Sequence, residues 1–307
     1  MRKVTPEVVL AEIKAEQKPE DQFGTVLFLP EAEGRQGEGG LRTQGYFKKS
    51  ETDKPLITVV TVVFNGEAHL EETILSVINQ TYDNIEYIVI DGASTDGTVD
   101  IIRKYEHAID YWVSEKDGGI YDAMNKGIRC VTGQAISFMN SGDCILNHGF
   151  MYLIYRFINM GHENKEETVI YGNNIWRDTL SPGFNWLPSY LPFLGRLPSH
   201  QAMLIPIGLQ RRRSYLSNFS VSADQDFKLH LVKLGIVYSH VSENVCISSV
   251  GGVSQHIKNH ANLIERSIET NRIFRNYYGY LWGAVYTFLF YIWNLRKIFI
   301  GSLRTHE

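Results

Sequence analysis

The chain has 307 residues, is 44% hydrophobic and 21% charged, and carries a formal net charge of -4. That length allows one large or two modest domains with a sizeable core, and the charge balance gives no reason to expect a nucleic-acid partner. Three widely spaced cysteines, Cys130, Cys144 and Cys246, with no CxxC pair, fit a reduced, cytoplasmic setting in which they serve as small packing residues.

Residues 1–54 read as an appendage. Pro6 to Gln17 has the spacing of a short amphipathic helix with Val9, Leu10 and Ile13 on one side. Thr25 to Leu29 reads as an edge strand, and Glu31 to Gly40, rich in Gly and Glu, as loop. Met1 to Leu10 shows no long apolar core followed by a small-residue cleavage site, so no secretory signal is expected. The segment shows no recognisable chemistry and is expected to pack on the main body of the chain or on another subunit.

Apolar runs and helical patterns then alternate. The run from Ile57 ends in Phe64-Asn65 and is followed by a helix over about 67–80. A second run, Ile85 to Ile90, ends in Asp91-Gly92-Ala93-Ser94-Thr95-Asp96-Gly97-Thr98, with a helix over about 99–105 behind it. A strand near Tyr111-Trp112-Val113 leads to Asp117-Gly118-Gly119 and a helix through Ile128. Ala135 to Met139 closes the set and runs into Asn140-Ser141-Gly142-Asp143. Strands apolar on both faces, alternating with helices, predict an α/β fold with a mostly parallel sheet flanked by helices. Ligands of such sheets sit beyond the carboxyl ends of the strands, where every one of these polar clusters falls.

Each cluster has two readings. An aromatic at Phe64 packs in the core or stacks on a nucleobase. Asp91 opens an ordinary Asp-Gly turn or accepts a base N–H or a ribose hydroxyl. Asp117 caps a helix, or the N–H groups at that helix start take a phosphate. Asp143 is a turn residue or the carboxylate of a Mg²⁺ or Mn²⁺ site beside a diphosphate. Taken together, four clusters ending four successive strands supply base, ribose, phosphate and metal groups around one nucleotide diphosphate. The absence of GxGxxG and GxxxxGK[ST] argues against a dinucleotide fold of the usual kind and a P-loop ATPase.

Thr61-Val62-Val63-Phe64-Asn65, Ile90-Asp91-Gly92-Ala93-Ser94-Thr95-Asp96-Gly97-Thr98, Ser114 through Gly127, Phe138 through Asp143 and Ser199-His200-Gln201-Ala202 together resemble family 2 glycosyltransferases of the GT-A fold. The chain looks like the branch that builds bacterial exopolysaccharide and O-antigen units, including colanic-acid-type enzymes. The resemblance spans about 54–254. It implies nucleobase binding at Phe64 and Asp91, a metal at Asp143 and a catalytic base at Asp224 in Ser222-Ala223-Asp224-Gln225-Asp226. It also implies inversion at the anomeric carbon, with Asp224 taking the acceptor proton. Many relatives carry Asp where this chain has Asn140 and Gly142, and Glu-Asp where it has Ala223-Asp224.

In the second half, Val169 to Asn174 reads as a strand running into a polar turn on the acceptor side. His200 heads another strand, where it contacts phosphate or acceptor or is a hydrogen-bonded structural residue. Arg211-Arg212-Arg213 reads as a solvated turn or a contact to an anionic carrier. Spacing of two puts Asp224 and Asp226 on different helix faces, so only one should enter the cleft. Val250 to Ser254 reads as a loop able to close over the nucleotide, with His256 and His260 beyond it. From Asn276 to Leu295 there is no charge and nine Tyr, Trp and Phe residues, followed by Arg296 and Lys297. Twenty such residues just span a bilayer, but the aromatic content and basic flank suit an interfacial helix better. A helix packed on the catalytic domain or in a homo-oligomer is the alternative.

The expected organisation is an N-terminal appendage (1–54), a GT-A catalytic domain (55–255) and a C-terminal helical tail (256–307). The expected activity is metal-dependent, inverting transfer of a sugar, of hexosyltransferase type. The donor is a UDP- or GDP-sugar, and the acceptor a glycan hydroxyl on a polyprenyl-diphosphate-linked precursor at the inner face of the plasma membrane. The donor site comprises Phe64, Asp91, Asp117, Asn140 and His200, with Mn²⁺ or Mg²⁺ at Asp143. A degenerate nucleotide-sugar-binding scaffold is the rival from outside enzymology. A sugar nucleotidyltransferase is less favoured, because Asn65-Gly66-Glu67-Ala68 is not the Gly-rich, Arg-containing loop it needs.

Overall fold

The computed structural model describes residues 1–16, 24–177, 197–249, 260–289 and 291. Its frame is a nine-stranded mixed sheet. In chain order the strands are β2 (Gly37–Gly39), β4 (Ile57–Val63), β5 (Ile85–Asp91), β6 (Tyr111–Ser114), β7 (Ala135–Asn140), β8 (Cys144–Ile145), β9 (Thr168–Trp176), β10 (Met203–Pro206) and β11 (Val237–Ser248). Two more, β1 (Arg2–Lys3) and β3 (Tyr46–Phe47), pair with each other. Across the large sheet the order is β2-β6-β5-β4-β7-β10-β9-β11-β8. β6, β5, β4 and β7 run parallel, as do β9 and β11, whereas β10 runs antiparallel between β7 and β9.

All seven residues of β4 and all seven of β5 are buried. That is the consequence of covering both sheet faces with helices: α2 (Leu70–Ile78), α3 (Thr98–Lys104) and α5 (Asn147–Ile158) serve one apolar cluster, and α4 (Ile120–Cys130) and α8 (Ala223–Lys233) the other. Register then sets the functional edge. Val63 is opposite Asp91, Asp91 opposite Ser114, and Val62 opposite Asn140, so four strands end level. Because β10 is antiparallel to β7, the residues preceding β10 lie beside the carboxyl end of β7. This brings His200 to an edge that its sequence position, sixty residues beyond Asn140, does not suggest.

Three expectations change. Thr25–Leu29 forms no strand; the sheet edge is β2, drawn from the Gly/Glu-rich stretch read as loop, and it pairs with β6. Residues 1–54 pack on the main body, one of the two settings expected for them, through sheet hydrogen bonds and buried charge. Glu86 lies inside β5, where an apolar run has no place for a carboxylate. It is held by Arg42 Nη2, by Thr58 Oγ1 at 2.6 Å and by the Thr132 N–H at 2.9 Å. Arg42 also donates to the Leu27 and Cys130 carbonyls, and both members of the pair are almost wholly buried. Lys48 pairs with buried Asp110 at 2.7 Å. α1 (Pro6–Glu16) does form, with Val9, Leu10 and Ile13 on a small core around Leu27 and Phe47. The third change is the Arg211-Arg212-Arg213 run. Arg211 is buried and donates to the Val131 carbonyl at 2.9 Å, and Arg213 binds Asp226 at 2.6 Å.

At the carboxyl end, α9 (His260–Tyr278) packs Ile273 and Phe274 into the same core as α8. Gly279 takes a left-handed φ of 85°, a conformation costly for residues with a Cβ, and a further helical segment covers 280–289. That segment stacks Tyr286 on Phe274 at 3.6 Å, while Tyr280, Leu281, Phe288 and Leu289 stay exposed. Among the described residues no helix is long and apolar enough to cross a membrane. The loop expected over 250–254 and the side chains of His256 and His260 lie outside what the structure describes.

Candidate active site

The level strand ends are tied into one rim. Asn65 and Ala93 both take positive φ, 50° and 63°. Asn65 and Gly66 donate their N–H groups to Ser94 Oγ at 2.7 Å and Thr98 Oγ1 at 2.8 Å, and Asn65 Oδ1 accepts the Thr95 N–H at 2.8 Å. The loops after β4 and β5 therefore hold each other, and Phe64 stands out from them with 65% of its surface exposed. An aromatic so exposed at a rigid rim is not core packing. Asp91 is the opposite case: it is fully buried and accepts the Ser94 N–H (3.0 Å), the Ser94 hydroxyl and the Ser114 hydroxyl (2.6 Å). It organises the rim from within, with residual acceptor capacity on Oδ1.

Asp117 accepts the Gly119 N–H at 2.8 Å, and Asp122 accepts the Gly118 N–H at 2.9 Å. The Gly118 and Gly119 amides just ahead of α4 are thus taken by carboxylates, while Gly119, with no side-chain cap, starts the helix. The Asp117 side chain lies against Gly92, where a Cβ would come within 2.6 Å of Oδ2. Burial pushes the Asp117 carboxyl up from its ordinary range.

Beyond β7, Asp143 is buried, and burial raises its carboxyl too. Gln201 Nε2 donates to its Oδ2 at 2.8 Å and the Ser249 N–H to its Oδ1 at 3.0 Å. Asn140 Oδ1 and Ser141 Oγ, on the same turn, are buried without a hydrogen-bond partner. Orphaned buried oxygens are costly, and oxygens of this kind on the turn that carries Asp143 are the donor type a hard cation takes. Among the described residues, no set of three His, Cys, Asp or Glu side chains converges on one point. A Mg²⁺ or Mn²⁺ ion here would rely on diphosphate oxygens and water to complete its shell.

Asn140 also reaches across the edge, its Nδ2 lying 3.1 Å from His200 Nε2. The other ring nitrogen, Nδ1, is 3.5 Å from Asp224 Oδ2. With Nε2 accepting from Asn140, Nδ1 carries the proton toward Asp224. Lys228 Nζ, one helical turn along α8, donates to the same Oδ2 at 2.8 Å, and the Tyr121 hydroxyl donates to Oδ1 at 3.1 Å. Burial favours a protonated Asp224, but the Lys228 charge and the His200 hydrogen bond outweigh it and hold the carboxyl far below its ordinary range. Asp226 faces away from this group, bound to Arg213. The arrangement is an ionised carboxylate, oriented on both oxygens, beside an edge with one exposed aromatic, Phe64, and one buried carboxylate, Asp143.

The structure thus joins Asn140, His200 and Asp224 in one chain of contacts and sets Asp143 beside Asn140. Phe64, Asp91 and Asp117 belong to the neighbouring part of the rim. Sequence reasoning missed Tyr121, Gln201 and Lys228. Lys228 had a readable signal, since an Asp and a Lys four apart on a helix are neighbours. Gln201 stood next to His200. Tyr121 gave no signal, because its partner is 103 residues away.

Residues 58–192 match the Glycosyl transferase family 2 profile. An uncharacterized glycosyltransferase of Haemophilus influenzae is 28% identical over 254 residues, which is 78% of this chain and 96% of that protein. Among solved structures, the Pyrobaculum calidifontis mannosyltransferase PcManGT in complex with GDP-Man and Mn²⁺ superposes with a TM-score of 0.59 at 16% identity, over 98% of this chain and 82% of that one. S. aureus TarS 1-349 in complex with UDP gives 0.53 at 17%, over 72% and 70%. At such identities the structural likeness is one of fold, and it matches the expected GT-A architecture. Residues 58–192 form a glycosyl transferase family 2 domain, and the chain is a glycosyltransferase.

Proposed function

We propose that the chain transfers a hexose, with inversion, from a UDP- or GDP-sugar to a hydroxyl of a polyprenyl-diphosphate-linked surface-glycan precursor. The observation that carries this reading is Asp224: a carboxylate kept ionised by Lys228 and His200 and oriented by Tyr121, next to the strand ends that suit a nucleotide diphosphate. The acceptor hydroxyl gives its proton to Asp224 as its oxygen bonds to the anomeric carbon. The bond from that carbon to the diphosphate oxygen breaks on the opposite face, and the electron pair leaves with the nucleotide diphosphate. Phe64 stacks on the base, Asp91 stiffens and completes the base-binding rim, and His200 lies where the diphosphate passes. Asn140 and Asp143 would hold a divalent cation, which when bound neutralises the leaving diphosphate. Binding both substrates in line supplies much of the rate. The neighbours' names support the donor class, since one is complexed with UDP and another with GDP-Man and Mn²⁺.

The exposed aromatic segment supports peripheral attachment at the inner face of the plasma membrane, where a lipid-linked acceptor resides. Tyr280, Leu281, Phe288 and Leu289 present apolar surface, and the sequence that follows carries the basic pair Arg296-Lys297, a combination that interfacial helices use. The test of the donor site is a thermal-shift panel of UDP-, GDP-, dTDP- and CMP-sugars with and without Mn²⁺. A ligand at a hundredfold its Kd stabilises the fold by about 2.7 kcal/mol. A Mn²⁺-dependent shift with a UDP- or GDP-sugar is expected, and it should be lost in Phe64→Ala. No shift with any donor would contradict the reading.

A further inference from the structure

We infer that the C-terminal helix α9 is part of the catalytic apparatus, and that Glu269 on it is a positioning residue for Asp224. The inference rests on Asp224 being the base. Asp224 sits in the first turn of α8, and the four residues before that helix, Phe219 to Ser222, are irregular. No side chain of its own caps the helix start. Backbone bonds hold the two ends of this stretch, from the Phe219 N–H to the Leu216 carbonyl and from the Gln225 and Asp226 N–H groups to the Ser222 carbonyl, and leave the Ser220 and Val221 N–H groups between them to a side chain.

Glu269 supplies what is missing. Its Oε1 accepts the Ser220 N–H at 2.6 Å and the Ser220 hydroxyl at 2.8 Å, and its Oε2 accepts the Val221 N–H at 3.2 Å. Both carboxylate oxygens thus grip consecutive amides three and four residues ahead of the base. Tyr277, two turns further along α9, donates its hydroxyl to the backbone carbonyl of Asp226 at 3.2 Å. The helix therefore holds the chain on both sides of Asp224. Between these bonds Phe219 and Phe227 are buried in one cluster with Ile273 and Phe274 of α9. The Arg272 guanidinium lies over the Phe219 ring, 5.4 Å from its centroid. A segment expected to serve membrane or subunit contact thus also sets the position of the base.

The consequence is specific. Loosening the 219–226 segment should displace Asp224 from the acceptor hydroxyl and leave the strand-end rim untouched. A misplacement of about 1 Å can cost roughly 10²-fold in rate. The variants are Glu269→Ala, Glu269→Gln and, as control, Ser220→Ala, which removes the hydroxyl but keeps both amide bonds. Two measurements apply to the full chain. The first is amide hydrogen exchange over 219–226, which needs no substrate. The second is release of nucleoside diphosphate from UDP-glucose or GDP-mannose with Mn²⁺, read beside the affinity for the same nucleotide.

In Glu269→Ala, exchange over 219–226 should rise, kcat should fall by about 10²-fold and nucleotide affinity should hold. Glu269→Gln, which keeps one acceptor oxygen, should recover part of both, and Ser220→Ala should behave as wild type. If Glu269→Ala does not fold, Glu269→Gln carries the test. Unchanged exchange over 219–226, or a loss of nucleotide affinity in step with kcat, would overturn the inference. Asp224→Asn separates the two layers. If that variant is inactive while Glu269→Ala turns over normally, the positioning role fails and the base stands. If Asp224→Asn turns over normally, the base assignment fails instead.

Discussion

Replacing Lys228 with Met removes the strongest single support of the ionised base at nearly constant volume. Lys228 Nζ makes two bonds, to Asp224 Oδ2 at 2.8 Å and to the Pro198 carbonyl at 3.0 Å, and its side chain is only 8% exposed. A hydrogen bond to a buried charged group contributes about 1.5–3 kcal/mol, and one pH unit corresponds to about 1.36 kcal/mol. The acid limb of kcat/KM should therefore move up by about one to two pH units in Lys228→Met. The direction follows from the opposing forces: burial, which favours the protonated acid, would be resisted only by His200 and Tyr121. Stability gives a second reading of the same quantity. Because the folded-state pKa of Asp224 is depressed, its contribution is present above the unfolded value and lost as pH falls through the folded one. Lys228→Met leaves the partly buried Asp224 carboxylate with only His200 and Tyr121 beside it at neutral pH, a loss that protonation relieves. The Tm advantage of wild type should be largest near pH 7 and should narrow toward acid. The assays are pH–rate profiles of nucleoside diphosphate release and thermal melts across the same range. An acid limb that stays in place or moves down, with a Tm difference independent of pH, would refute the argument.

Other outcomes follow from contacts already described. Arg42→Met strands Glu86 inside β5, and breaking a buried pair in this way costs about 3–5 kcal/mol. Denaturant melts should show that loss, and adding Glu86→Gln should recover most of it. Gln201→Ala frees one oxygen of buried Asp143. Orienting partners of this kind are worth about 10–100-fold in metal affinity, so the Mn²⁺ concentration needed for nucleotide binding should rise by that factor. Replacing Leu281, Phe288 and Leu289 with Ser should abolish co-flotation with anionic phospholipid vesicles and leave nucleotide affinity unchanged. Retained flotation would argue against the tail as the membrane contact.

Much of the fold was readable because it depends on local pattern. Seven-residue apolar runs between helical periods define β4 and β5, and the polar residues that end them mark the rim. What was not readable depends on distant partners. Gly37–Gly39 has no strand pattern and pairs because β6 offers a free edge. Glu86 looks wrong for a buried strand until Arg42 arrives from the N-terminal segment. The arginine run at 211–213 resembles a solvated turn by composition, yet Val131 and Asp226 give Arg211 and Arg213 buried partners. In the site, residue types at strand ends pointed to Phe64, Asp91, Asn140 and Asp143. The grouping around Asp224 required tertiary placement: Tyr121 comes from α4, His200 from the turn before β10, and the Glu269 brace from α9. At Asp117 the motif did not reveal that the Gly118 and Gly119 amides ahead of the helix bind the chain's own carboxylates.

The central claim is that Asp224 removes the acceptor proton in a nucleotide-sugar transfer. Its most direct test is single-turnover release of nucleoside diphosphate by wild type and Asp224→Asn, with the donor picked out by the thermal-shift panel and Mn²⁺ present. The account predicts loss of turnover by at least about 10²-fold, the low end for general-base removal, with donor affinity within a few-fold of wild type. Full turnover in Asp224→Asn would contradict it.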